Sequence, residues 1–91
     1  MLYTIFMEFA GGTYAAQVRA GSPRSALKKW AKNIVPGNIY DLGPKGKEAL
    51  NRQIHDKQIV PIHGMVNIWC ATFLVGGKLA LVNLIRMENA E

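Results

Sequence analysis

Two Gly-Gly pairs, each set between β-rich runs, constrain this chain more than any other feature. The first is Gly11-Gly12, between LYTIFMEFA and TYAAQVRAG. The second is Gly76-Gly77, between MVNIWCATFLV and KLALVNLIRM. The favoured two-residue hairpin turns need positive φ, which glycine adopts without a Cβ clash. Each pair therefore predicts a tight reversal that joins two antiparallel strands.

A hairpin sorts its residues, because successive side chains point to opposite faces. With Gly11-Gly12 as the loop, Phe9 faces Tyr14, Met7 faces Ala16, Ile5 faces Val18 and Tyr3 faces Ala20. That face is apolar. The other face receives Glu8 with Ala15, Phe6 with Gln17 and Thr4 with Arg19. Such sorting predicts a sheet covered on one side only, and a one-residue slip would destroy it.

The second hairpin sorts less cleanly. With Gly76-Gly77 as the loop, Val75 faces Lys78. One face carries Val66, Ile68, Cys70, Thr72 and Leu74 beside Leu79, Leu81, Asn83, Ile85 and Met87. The other carries Trp69, Ala71, Phe73 and Val75 beside Ala80, Val82 and Leu84. Both are mainly apolar. The back therefore needs a cover, either from this chain or from another subunit. The expectation is partial self-cover together with a homodimer. Trp69, Phe73, Val82 and Leu84 are the candidate interface, since large aromatics at a solvent-facing position mark one. The competing reading is that the second helix, through Leu50 and Ile54, covers them.

Between the hairpins the period changes. Ser22 is a good N-cap, and Pro23 suits the first helical position, where its missing N–H costs nothing. Ala26, Leu27, Trp30, Ala31 and Ile34 then make one apolar helix face. The helix ends before Pro36-Gly37. Pro36-Gly37-Asn38 and Gly43-Pro44-Lys45-Gly46 read as turns. A second helix is predicted from about Lys47 to Asp56, with Ala49, Leu50 and Ile54 as its apolar side. Gln58 to Ile62 reads as a short strand that Pro61 confines to an edge or a lead-in. The whole predicts one α+β domain over residues 1–91, in the order β-β-α-(α)-(β)-β-β. Four or five antiparallel strands form its sheet, and two helices pack on it.

Charge is concentrated in the middle of the chain. The net charge is +5. From Arg19 to Lys57 nine basic residues stand against three acids, a net of +6, and the flanks together carry −1. Arg24, Lys28 and Lys32 recur every four residues on the polar side of the first helix, and Arg19 could extend that stripe. Basic residues at helical spacing can follow a phosphate backbone, which makes nucleic acid the alternative partner. The plainer reading is a solvated helix face. No helix-turn-helix, RRM, KH or zinc signature accompanies the stripe.

Little else points to chemistry. His55 and His63 match no metal-ligand spacing. Cys70 sits in an apolar strand, where a free cysteine behaves as a small hydrophobe. The lysines of Gly43–Lys47 lack the P-loop spacing. The reading is thus a non-catalytic module with no cofactor and no metal, and a small enzyme using His63 or Cys70 is the distant alternative. A single cysteine, no apolar run near the roughly 20 residues that span a bilayer, and no leader pattern at the start predict a cytoplasmic protein.

The opening hairpin followed by a helix is loosely similar in topology to the start of HicB-type antitoxins, whose small domain pairs with an RNase toxin. The likeness covers the first third of the chain. Ser22-Pro23 follows Ala20-Gly21 directly, without the loop such proteins usually insert there, so no residue role is carried over.

Overall fold

The computed structural model describes residues 1–88. β1 (Leu2–Phe9) and β2 (Gly12–Arg19) form the first hairpin, and α1 (Pro23–Asn33) follows at once. A 3-10 turn at Pro36–Asn38 leads to α2 (Gly43–Gln53), which tightens into a second 3-10 turn at Ile54–Asp56. β3 (Val60–Pro61), β4 (Ile68–Val75) and β5 (Lys78–Met87) complete the chain. The five strands make one antiparallel sheet in the order β2-β1-β5-β4-β3. The last strand therefore returns to pair with the first.

The second hairpin has the expected register. Val75 pairs with Lys78, and Gly76 and Gly77 turn the chain at φ 57 and 79. The first hairpin is displaced by two residues from the expected pairing. Phe9 pairs with Gly12, Met7 with Tyr14, Ile5 with Ala16 and Tyr3 with Val18. Ala10 and Gly11 form the turn, at φ 49 and 83. Gly12 serves packing instead. A Cβ there would stand 2.6 Å from the Tyr14 hydroxyl, so only glycine lets that ring lie across the strand. Because side chains alternate with period two, a two-residue shift keeps every residue on its expected face.

Ser22 caps α1 as expected. Its hydroxyl accepts from the Ser25 N–H, and the Ser25 hydroxyl accepts from the Ser22 N–H, a reciprocal box that satisfies two donors. α2 starts four residues before the expected Lys47. Pro44 stands in its first turn, where a missing N–H costs nothing, so the Gly43–Gly46 stretch is helix rather than turn. β3 is an edge strand, as Pro61 requires.

Both helices lie on the same side of the sheet. Ala26, Leu27, Trp30 and Ala31 of α1 join Tyr3, Ile5 and Met7 of β1 in the core. Leu42, Leu50 and Ile54 cover Phe73, Val82 and Leu84 from the other end. This corrects one expectation. Phe73, Val82 and Leu84 are buried by their own chain and cannot present an interface.

Replacing Trp30 by Ala is expected to cost about 3–5 kcal/mol, as core aromatic truncations do. Gly77→Ala is expected to cost about 1–2 kcal/mol, because it forces a Cβ into the left-handed region. Gly21, with an ordinary φ and open space around it, should accept Ala within about 0.5 kcal/mol. Urea midpoints of the three variants check this set.

Candidate interaction surfaces

The helices cover one face of the sheet and leave the other to solvent. On β4 and β5 the register places Leu74 beside Leu79, Thr72 beside Leu81, Cys70 beside Asn83 and Ile68 beside Ile85. β1 continues these rows: Glu8 lies beside Leu81, Phe6 beside Asn83 and Thr4 beside Ile85. Leu74 is 61% exposed, Leu79 58%, Leu81 38% and Met87 38%. Four large aliphatic side chains thus share one uncovered surface. Toward β2 the same face turns polar, with Gln17 donating to the Thr4 hydroxyl at 3.0 Å. The open face of the second hairpin is the one carrying Thr72, Asn83 and Cys70. Their slight polarity was the signal that separates two otherwise similar apolar faces.

Trp69 is the expected interface residue that comes nearest the surface. It is half-buried, packed against the core, with its ring 6.2 Å from that of Tyr3 at 46°. The Tyr3 hydroxyl is buried and has no hydrogen-bond partner among the described residues. The phenol therefore carries a desolvation cost that phenylalanine would avoid.

The basic stripe divides. The Arg24 guanidinium donates to the carbonyls of Ile54 and Lys57, both at 2.8 Å. It clamps α1 to the turn that follows α2, so its role here is structural. Lys28 and Lys32 remain exposed along a groove between α1 and α2, which His55 also lines. Arg19 lies at the end of β2, and alternation sets it on the open face with Ala15 and Gln17, away from the stripe. Lys29 is on the rim, where its ammonium donates to the Arg19 carbonyl at 3.0 Å.

The other titratable residues are scattered. Cys70 borders a shallow hollow of about 620 Å³ with Arg52, Asp56 and Lys57, while His63 lies outside it on the loop after β3. Among the described residues no three of His, Cys, Asp and Glu gather closely enough to hold a metal ion. No described helix is long and apolar enough to cross a membrane. Lys78 pairs with Asp41 and so ties the β4–β5 turn to the loop before α2. The hydrogen bond that the ammonium donates to the Asp41 carboxylate, and the charge of that carboxylate, raise the Lys78 pKa above its ordinary value.

Compared with family models, with curated proteins and with solved structures, the chain matches none. The likeness of its opening to HicB-type antitoxins therefore remains one of outline.

Arg24→Gln is expected to lower stability by about 2 kcal/mol, the scale of hydrogen bonds to a charged group. Lys28→Gln and Lys32→Gln should each stay within about 0.5 kcal/mol, as exposed substitutions do. Tyr3→Phe should leave the protein as stable or make it more so. Chemical denaturation separates the three cases.

Proposed function

We propose that this protein is a small association module that pairs with a second copy of itself through the open sheet face. The observation that carries this is the exposed cluster of Leu74, Leu79 and Leu81 at one end of the open face, with Met87 exposed at the other end of β5. Apolar area removed from water contributes on the order of 25 cal/mol per Å². Four strands of 8 to 10 residues, spaced ~4.8 Å apart, make a flat footprint of roughly 500 Å². That is roughly two thirds of the ~800 Å² each partner gives to a standard interface.

Charge favours a second copy on this face. The chain carries a net +5, so two copies repel most wherever their helical layers meet. On the β4–β5 part of the open face the central residues are uncharged, and Glu8 and Arg19 lie toward its β1–β2 margin. The face thus keeps its leucines on β4 and β5, small uncharged groups at its centre and its charges on β1 and β2. The module reading is non-catalytic and cytoplasmic. It replaces Trp69 and Phe73 with the opposite side of the same hairpin.

A second reading rests on Lys28, Lys29 and Lys32, which are exposed on one helix and have no carboxylate partner among the described residues. They could hold nucleic acid electrostatically. That binding would weaken steeply with salt and would be lost when Lys28 and Lys32 become Glu.

Sedimentation equilibrium at micromolar concentrations is expected to give about twice the 10.1 kDa chain mass. Leu79→Glu together with Leu81→Glu should return a folded monomer, with helical circular dichroism retained. A wild-type protein that stays monomeric at high micromolar concentration would remove the self-association reading.

A further inference from the structure

The two edges of the sheet are unequal. On the β3 side the edge is closed: β3 has two residues and ends in Pro61. Beyond it the Gln53 side chain takes both free backbone groups of Leu74, donating to its carbonyl at 2.7 Å and accepting from its N–H at 3.2 Å. On the β2 side no such device is present along Thr13–Gln17 among the described residues. β2 runs eight residues, with an unbroken register and neither proline nor bulge. Long, unprotected edges pair with other chains unless something blocks them.

The hydrogen-bonding phase of β2 follows from its end. Met1 and Ala20 exchange backbone bonds, at 3.0 and 2.9 Å. In an antiparallel pair such positions alternate with outward-facing ones. Tyr14, Ala16 and Val18 therefore bond inward to β1, while Thr13, Ala15 and Gln17 direct their N–H and C=O groups off the sheet. Among the described residues these three have no backbone partner on that side. Beside them runs a groove of about 480 Å³ between β2 and α1, lined by Ala16, Val18, Trp30, Ile34 and Val35. Alanine at 16 keeps it open.

We infer that the outer edge of β2 receives an extended, acidic segment of another polypeptide as a sixth strand of the sheet. Its alternate apolar side chains would enter the groove against Trp30 and Ile34. Its backbone would take up the free groups of Thr13, Ala15 and Gln17. Charge selects an acidic segment. None of the groove-lining residues is a carboxylate, and the Lys29 ammonium stands at the end of the free stretch, holding only the neutral Arg19 carbonyl. That same contact occupies the last carbonyl and marks where the added strand stops. A second copy is disfavoured here, since edge-to-edge pairing would set one basic α1 beside another.

The test titrates the isotope-labelled full chain with a synthetic peptide of alternating Glu and Val, seven residues long. The expected result is amide shift changes concentrated at Thr13, Ala15 and Gln17, with slowed hydrogen exchange there. The same peptide N-methylated at its glutamates loses the N–H groups that face β2 and should bind at least tenfold more weakly. A Lys-Val peptide should also bind more weakly. Equal binding of the N-methylated peptide, or shifts gathered at Lys28 and Lys32, would overturn strand addition. Concentration-dependent protection of Thr13–Gln17 without peptide would overturn the choice of partner in favour of a second copy.

Discussion

Two 11-residue helices can cover only one side of this sheet. Each is about 16 Å long, whereas five strands span roughly 24 Å across. Every other property of the molecule depends on that shortage. Only three residues separate β2 from α1, because Ser22 and Pro23 start a helix immediately. It therefore has to fold back over the first hairpin, where Trp30 fills the space above β1. α2 then closes the remaining half through Leu50 and Ile54, and Arg24 fixes the two helices to one another through the Ile54 and Lys57 carbonyls. Nothing in the described chain is left to cover the second face.

Much of this architecture was legible because parity is robust. Side chains alternate with period two, so the faces of the first hairpin could be assigned although its turn was placed two residues away. The choice between Gly11-Gly12 and Ala10-Gly11 depended on something a pattern does not show. Tyr14 lies across Gly12, where a Cβ would stand 2.6 Å from its hydroxyl, while Ala10 takes the left-handed position in the turn. The start of α2 was hidden for a similar reason. Gly43-Pro44 resembles a turn in isolation, and proline is equally at home in the first turn of a helix. The return of β5 to the side of β1 is a long-range pairing that local signals do not encode.

The second hairpin shows where residue size misleads. Trp69 and Phe73 drew attention as surface aromatics, yet large aromatics gain most from burial: Phe73 lies in the core beneath the helices, and Trp69 is half-buried against it. The opposite face carries smaller and slightly polar groups at its centre, Thr72, Asn83 and Cys70, and it is the one left bare. Arg24 makes the same point for charge. Its spacing with Lys28 and Lys32 suggested one continuous stripe, but spacing does not reveal which side chain finds a carbonyl. The guanidinium, with several donors on a planar head, is the member of that set best able to bridge two carbonyls at once.

Charge and grease are separated by layer, and this separation decides which surface suits which partner. The segment from Arg19 to Lys57 holds both helices and a net +6, while the sequence before and after it holds −1. In a face-to-face pair the sheets would lie about 10 Å apart, with helices roughly 10 Å farther out on each side. The like-charged layers would then stand about 30 Å from one another, several times the ~8 Å screening length of physiological salt. Pairing across the β2 edge offers no such distance, because α1 flanks that edge and Lys29 reaches it. The same positive charge that is harmless in a face-to-face pair therefore weighs against a copy at the edge and in favour of a carboxylate-bearing strand.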